Sequence, residues 1–212
     1  MRILDCETPE SILNSLSSVI GTDKNRIQDL LFQFDIDKYF HSNPQSNLCS
    51  EDLLLSVIAP SAKSLTYDAT CWFHLTRAGS ASNSEQGILP LGMQVDSIWD
   101  SLFDLLEGSF PNGKWNDFRH SIETDCSHHS ANIYRLKTTK QHLWGPYAIL
   151  IQGMAFDSKA HGNHDYLRIP EIIDDICTCF QDYSGINLRE VYVQKTRPCI
   201  INSSVAQQAL II

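Results

Sequence analysis

The fold of this chain can be worked out from one stretch, Cys71-Trp72-Phe73-His74-Leu75-Thr76-Arg77. It belongs to a run, residues 67–75, that is rich in aromatic residues and other β-formers and therefore predicts a β-strand. Side chains alternate between the two faces of a strand, so His74 and Thr76 lie on one face and Cys71 points to the other. The segment thus brings an imidazole, a hydroxyl and the guanidinium of Arg77 to the point where a strand meets a loop.

Upstream of this strand, the sequence predicts a layer of helices. Thr8-Pro9-Glu10 is a cap-like helix start, and apolar residues at helical spacing follow over residues 12–20 and 27–34. A short helix is expected at 53–58, where it ends before Pro60. We therefore expect a helical N-terminal layer over residues 1–62.

Downstream of the strand, helices and strands are mixed. One helix is predicted through residues 95–106, and another begins at Pro170, with acids near the positive end of its dipole. Further strands are predicted at 147–152, 191–194 and 199–201. Strands separated by irregular insertions favour an α+β fold. We expect a core domain over 63–202, with a small mixed or antiparallel sheet and helical insertions, and a tail at 203–212.

Composition places the chain among ordinary globular proteins. Of its 212 residues, 42% are hydrophobic and 19% are charged, a balance that disfavours disorder. The net charge of −9 argues against a large sequence-independent nucleic-acid surface, because such a surface requires clustered Lys and Arg. The seven cysteines are odd in number and mostly scattered, which favours free, buried thiols over a disulfide framework.

Neither a membrane segment nor a signal peptide is predicted. No apolar run reaches the roughly 20 residues that a membrane helix requires. The first residues, Met1-Arg2-Ile3-Leu4-Asp5-Cys6-Glu7, contain acids where a signal peptide would carry its apolar core. We therefore expect a cytoplasmic protein with no membrane partner.

The polar end of the strand is the first candidate site. His74 and Thr76 are of types that bind the hydroxyls of a ribose or a backbone amide, and Arg77 can hold a phosphate in a fork of donors. The competing interpretation is a core histidine with hydrogen-bond partners beside a surface arginine, since buried polar groups usually find partners within the fold. Both interpretations stay open at this point.

Two further motifs accompany the strand. Gly87-Ile88-Leu89-Pro90-Leu91 follows a loop of small residues at 79–83, and Leu188-Arg189-Glu190-Val191-Tyr192-Val193 places an acid directly before a predicted β-run. His and Thr on an early strand, a Gly-Ile-Leu turn into a helix and a late Glu together resemble the mono-ADP-ribosyltransferase fold. The resemblance is to the branch with His on the first strand, which includes DNA-modifying toxins and RNA phosphotransferase-like members.

The resemblance implies an NAD-dependent ADP-ribosyltransferase or NAD glycohydrolase, of a kind that acts as a bacterial toxin or defence effector. NAD would be its substrate, no metal would be required, and the acceptor would be an unidentified protein or nucleic acid. His74, Thr76 and Arg77 would contact NAD, and Tyr147 would stack on nicotinamide. Glu190 would be the catalytic carboxylate, assisted by His74, because positive charge develops at the anomeric carbon as nicotinamide leaves.

Three alternatives stay open. Glu171, which precedes Asp174 and Asp175, is the rival of Glu190 as the key carboxylate, although acids in a first helical turn commonly just suit the helix dipole. A second alternative is a non-enzymatic interaction or inhibitor protein, suggested by the helical front layer, the net charge and the apolar end Ala209-Leu210-Ile211-Ile212.

The third alternative is a metal-dependent hydrolase built from a histidine-rich region. Imidazoles and carboxylates of this kind can bind zinc or iron. However, no recognised metal-binding spacing occurs in the region. Its candidate ligands are His120, His128, His129, His142, His161 and His164, with Asp117, Glu123, Asp125, Cys126, Asp157 and Asp165.

Overall fold

The computed structural model describes residues 1–60, 66–79, 87–124, 127–158, 160 and 162–206, and of Ala206 the backbone only. Over these residues the helices are α1 (Pro9–Ile20), α2 (Lys24–Gln33), α3 (Ile36–Ser42), α4 (Ser50–Ile58), α5 (Val95–Asp104), α6 (Asn112–Thr124), α7 (His129–Thr139), α8 (Glu171–Ser184) and α9 (Leu188–Lys195). The strands are β1 (Ile3–Leu4), β2 (Ala69–Ala78) and β3 (Arg197–Ala206). Short 3-10 helices span Leu91–Met93, Gln141–Leu143 and Gln152–Phe156.

The strands form one small mixed sheet in the order β1-β2-β3. β1 pairs with β2 in parallel, with Ile3 opposite Ala69 and Leu4 opposite Thr70. A small sheet among a majority of helices confirms the predicted α+β class. β2 confirms the strand predicted at 67–75, and β3 contains the strand predicted at 199–201. Within the described ranges, no helix is long and apolar enough to cross a membrane.

The chain divides into two compact units. The N-terminal unit contains Met1–Trp72, Leu150–Gly153 and Asn202–Ile212, and the core unit contains Phe73–Ile149 and Met154–Ile201. β2 and β3 each contribute residues to both units. The domain boundaries inferred from the sequence, after residues 62 and 202, stay a prediction.

A side-chain cap begins α1, as the sequence predicted at Thr8-Pro9-Glu10. The Thr8 hydroxyl accepts from the Ser11 amide at 3.0 Å, and the Ser11 hydroxyl accepts from the Thr8 amide at 2.8 Å. This reciprocal pair is a capping box, which satisfies amides that have no partner within the helix. Gly21 ends α1 in the left-handed region at φ 75°. The next helix, α2, buries Ile27 completely.

The core unit is built around packed aromatic rings. Trp99 of α5 lies edge-on to Trp115, Phe118 and Tyr134, with ring centroids 5.1, 5.6 and 6.0 Å away. Its indole N–H donates to the Tyr134 hydroxyl at 2.9 Å, so both buried polar groups are satisfied. Phe180 of α8 is fully buried against Trp115 and Phe118. This shared core places α7 directly against α8.

The strand predicted at 191–194 is wrong, because those residues belong to helix α9. The Asn187 side chain accepts from the Glu190 amide at 3.2 Å and so begins the helix. Leu188 and Tyr192, four residues apart, are the buried side chains of α9. The apolar residues therefore follow a helical spacing, although Val and Tyr have high β propensity. Such propensity is weak when tertiary packing favours one face of a helix.

The strand predicted at 147–152 is also wrong. Ile149 forms a single antiparallel bridge with Phe73, with both N–H···O distances at 2.9 Å. Pairing ends there because a 3-10 helix begins at Gln152. In the predicted tail, β3 continues to Ala206, and residues 207–212 lie outside the described part of the chain. The small-residue loop predicted at 79–83 lies outside it as well, apart from Gly79.

Gly92 is a position in the core unit where a side chain cannot be accommodated. A Cβ atom on Gly92 would lie 2.4 Å from the ring of Trp144. That ring is held in place, since its N–H donates to the Thr138 carbonyl at 3.0 Å. The Leu91 amide also donates to the Trp144 carbonyl at 2.8 Å. The contact therefore requires glycine for space rather than for backbone conformation.

We expect Gly92→Ala to lower the free energy of unfolding by about 1–3 kcal/mol, as overpacking of a filled site does. Urea unfolding followed by tryptophan fluorescence measures the change. Gly113→Ala is the matched control: it lies in α6, where an added Cβ meets nothing within 4 Å. There the better helix propensity of Ala should leave stability unchanged or raise it by up to about 1 kcal/mol. Equal stability of the two variants would contradict the packing account.

Candidate functional site

The structure brings two of the predicted site residues together. Nδ1 of His74 lies 2.5 Å from the carbonyl oxygen of Tyr147. A carbonyl only accepts, so Nδ1 carries the hydrogen and Nε2 is the acceptor of the neutral ring. The Tyr147 ring itself is 58% exposed, and its hydroxyl donates to the His142 carbonyl at 3.4 Å. Thr76 follows on β2 and is half-buried.

Arg77 is held by the protein backbone. Its Nε donates to Thr196 Oγ1 at 2.8 Å, and its Nη1 donates to the Leu167 carbonyl at 2.5 Å. Its Nη2 donates to the carbonyls of Val193 and Thr196, both at 2.8 Å. These four bonds use four of the five N–H groups of a guanidinium. The sequence predicts that the Arg77 guanidinium binds a phosphate of NAD. In the structure, this guanidinium binds the end of α9 and the turn before α8.

Glu190 lies in the first turn of helix α9, not at the start of a strand as the sequence predicted. It is exposed, and its carboxylate accepts from the Asn187 amide nitrogen at 3.4 Å and from Gln194 Nε2 at 3.3 Å. Both partners flank it on the same helical segment. A carboxylate at this position suits the positive end of the helix dipole.

Glu171, the rival carboxylate, belongs to a different constellation. Lys137 Nζ lies 3.0 Å from Glu171 Oε2 and 2.9 Å from Asp175 Oδ2. Glu171 and Asp175 are four residues apart on α8, so they share one face of that helix. Lys137 reaches them from α7, which packs against α8. One ammonium thus bridges two carboxylates, and only 20% of the lysine side chain is exposed.

The turn before α8 adds a phenol and an imidazole to this group. The Tyr166 phenol and the Glu171 carboxylate are close enough that each shifts the pKa of the other. The rings of His164 and Tyr166 meet edge to face with their centroids 5.0 Å apart, and His164 Nε2 donates to the Ile169 carbonyl at 2.6 Å. We call Lys137, His164, Tyr166, Glu171 and Asp175 the carboxylate cluster.

The electrostatics of the carboxylate cluster separate its two acids. Burial alone would raise the pKa of Glu171, but the Lys137 ammonium, together with His164 and Tyr166, holds that pKa below its ordinary value. The pKa of Asp175 is raised instead, since its deeper burial outweighs its bond to Lys137. Burial and Glu171 raise the pKa of Tyr166, and Tyr147 adds to the rise. At neutral pH the cluster therefore holds an ionised Glu171 beside a neutral phenol.

A cavity of about 410 Å³ also lies in the core unit. Its lining includes Asp96 and Glu123, and Arg119 forms an ion pair with each of them. Tyr134, which also lines the cavity, accepts a hydrogen bond from the Trp99 indole. Asp96 and Glu123 are thus paired with Arg119, and Arg135, the third charged residue of the lining, donates to the Ile122 carbonyl at 2.6 Å. We place the candidate site at the carboxylate cluster, where Glu171 is half-buried and where Tyr166 lies within electrostatic range of the predicted Tyr147.

Three side chains, His128, Cys179 and Asp182, are arranged in the order of a thiol nucleophile site. His128 Nδ1 lies 3.5 Å from Cys179 Sγ, and His128 Nε2 lies 3.2 Å from Asp182 Oδ2. However, Nδ1 also accepts from the Ser130 amide at 3.1 Å and thereby caps α7. A nitrogen that faces a backbone N–H is a poor proton acceptor for a thiol, and Cys179 is buried. His128 therefore has a structural role as the cap of α7.

The described residues contain no group of three His, Cys, Asp or Glu side chains that could hold a metal ion. Of the candidate ligands, Asp125, Cys126 and His161 lie outside those residues. Comparison with protein-family models, with curated proteins and with solved structures gave no match. The likeness to mono-ADP-ribosyltransferases accordingly stays a prediction.

Part of the carboxylate cluster was predicted from the sequence, and part was not. Glu171, Asp175 and His164 were candidates, whereas Lys137 and Tyr166 were not assigned to any site. No local pattern marks Lys137, because it is an ordinary basic residue in the last turn of α7. Its role becomes visible only when α7 packs on α8.

Arg77 should prove essential for stability. We expect Arg77→Ala to lower the free energy of unfolding by at least about 2 kcal/mol, because the carbonyls of Leu167, Val193 and Thr196 lose a charged donor. Arg77→Lys should recover only part of this loss, since one ammonium cannot reach all of these acceptors. Thermal and urea unfolding measure both variants.

Arg168→Ala is the control, because Arg168 is exposed in the same turn. It should change stability by no more than about 0.5 kcal/mol. An Arg77→Lys protein that unfolds like the wild type but binds NAD more weakly would favour the phosphate role predicted from the sequence.

Proposed function

We propose that this protein is an NAD-consuming enzyme that cleaves the bond between nicotinamide and ribose, with Glu171 as its key carboxylate. The ADP-ribose would pass to a macromolecular acceptor or to water. One observation supports this most: Glu171 is half-buried, forms an ion pair with Lys137, and lies near the phenol of Tyr166 and the imidazole of His164, which help to lower its pKa. That combination matches what the reaction requires.

The chemistry needs a carboxylate but neither a nucleophilic side chain nor a proton for the leaving group. As the glycosidic bond breaks, its electron pair goes to the nicotinamide nitrogen, and positive charge develops on the ribose. A nearby carboxylate stabilises that charge best where water is scarce. The acceptor oxygen or nitrogen then bonds to the anomeric carbon and loses its proton.

The neighbouring groups suit the rest of the substrate. The Tyr147 ring is exposed enough to stack on a flat, cationic nicotinamide ring. His74 Nε2 is left as an acceptor for a ribose hydroxyl, because Nδ1 is bound to the Tyr147 carbonyl. Thr76 lies on the same strand two residues further on. These roles keep the sequence-based assignments of His74, Thr76 and Tyr147.

Glu171 is preferred to Glu190 because of its surroundings. Glu190 is exposed, so water and salt screen its charge, and its oxygens are engaged by Asn187 and Gln194. Glu171 is half-buried and its pKa is lowered by a specific ammonium. A perturbed carboxylate with a defined partner is a stronger candidate for chemistry than an exposed helix-cap acid. In biological terms the proposal retains a toxin or defence effector that consumes NAD.

We expect Glu171→Gln to reduce the rate of nicotinamide release from NAD by about 10²-fold or more, as loss of a transition-state charge contact does. Release by purified protein, followed by liquid chromatography, measures the rate. Glu51→Gln is the control, because Glu51 is likewise a first-turn helix glutamate but is exposed, on α4 of the N-terminal unit. It should leave the rate unchanged.

Glu190→Gln, assayed in parallel, decides between the two carboxylates. If Glu190→Gln abolishes release while Glu171→Gln does not, the assignment to Glu171 is overturned. If the wild-type protein neither releases nicotinamide nor binds NAD in calorimetry, the enzymatic proposal fails. The non-enzymatic interaction protein then becomes the favoured function.

A further inference from the structure

We propose that Lys137 is a positioning residue for Glu171, and that Asp175 tunes it by sharing the same ammonium. This inference rests on the proposed function, because it concerns how the key carboxylate is kept ionised and oriented. Neither residue was assigned a part in the reaction above. Together they would set the pH range over which the site works.

The inference is based on the geometry of the shared Lys137 ammonium. Lys137 Nζ is within 3.0 Å of one carboxylate oxygen on Glu171 and within 2.9 Å of one on Asp175. The side chains of Lys137 and Asp175 are only 20% and 15% exposed, so water competes weakly for these bonds. Three charged groups in contact carry two negative charges and one positive charge. Glu171 therefore receives only part of the stabilisation that one ammonium can provide.

The other groups that face Glu171 do not replace Lys137. From the turn before α8, Tyr166 contributes a neutral phenol and His164 acts through space. From α8, Asp174 is paired with Arg189 of α9 at 2.6 Å. Tyr147 acts on Tyr166 and so reaches the carboxylate indirectly. Among these groups, Lys137 is the one that combines a full positive charge with a direct bond to Glu171.

The two partners should have opposite effects. When Lys137 is replaced by Met, burial dominates and the Glu171 carboxylate becomes easier to protonate. The acid limb of the rate profile then moves to higher pH, because protonated Glu171 is inactive. When Asp175 is replaced by Asn, a neighbouring negative charge is removed and the Lys137 ammonium serves Glu171 alone. The acid limb then moves to lower pH.

The test is the pH profile of kcat for nicotinamide release from NAD by the full-length chain. We expect Lys137→Met to shift the acid limb upward by about one pH unit or more, as loss of a charge at this distance does. Asp175→Asn should shift it downward, and Lys137→Arg should return it toward the wild-type position. Lys140→Met, an exposed lysine just after α7, is the control and should not move it.

A second readout does not depend on turnover. The carboxyl carbon of Glu171, labelled with ¹³C and assigned by comparison with Glu171→Gln, is titrated by NMR in the same variants. Its midpoint should rise in Lys137→Met and fall in Asp175→Asn. A wild-type protein that turns over NAD, with midpoints that stay in place in both variants, would overturn the positioning role.

Two further outcomes separate this inference from the proposed function. If the NMR midpoints shift as expected but no variant, wild type included, releases nicotinamide, the proposed function fails and the role of Lys137 in the reaction fails with it. If Lys137→Met does not fold, the acid limbs of Lys137→Arg and Asp175→Asn still test the inference. An acid limb that stays in place in Asp175→Asn then contradicts the inference.

Discussion

A single guanidinium group, that of Arg77, holds two parts of the core unit to the end of strand β2. It donates to a carbonyl in the turn before α8, to carbonyls at the end of α9, and to the hydroxyl of Thr196. Charged donors form the stronger class of protein hydrogen bonds, and a planar fork reaches several acceptors at once. The position of the turn therefore depends on an arginine near the end of a strand that is distant in the chain.

This constraint extends to the candidate site. Leu167, which Arg77 holds, is the neighbour of Tyr166, and the Tyr166 phenol helps to lower the pKa of Glu171. The strand segment around His74 thus contributes to the site in two ways. His74 is bonded directly to the Tyr147 carbonyl, and Arg77 fixes the turn that carries the phenol. An arginine expected to bind a phosphate becomes part of the scaffold.

The ion pairs of the carboxylate cluster are better explained by chemistry than by stability. Bringing an ammonium and two carboxylates out of water costs free energy that their mutual attraction offsets only in part. Apolar side chains of similar size would commonly stabilise a helix interface equally well. In the proposed function, these ion pairs between α7 and α8 keep Glu171 ionised.

The two wrong strand predictions show where sequence reasoning stops. At 191–194 the residues have high β propensity, yet Leu188 and Tyr192 are buried together on one helix face. At 147–152 the composition suits a strand, but the pairing consists of one bridge to Phe73. In both cases the partner surface selects the local structure, and the partner is distant in sequence.

The sequence by itself determined the α+β class, strand β2, the capped start of α1, and the candidacy of His74, Tyr147 and Glu171. Those features depend on neighbours within a few residues: a capping side chain, a periodic apolar stripe or a β-rich run. Only the tertiary structure decided the acceptors of Arg77, the helical state of Glu190 and the pairing of Lys137 with Glu171. Long polar side chains find their partners after packing, so no local pattern records them.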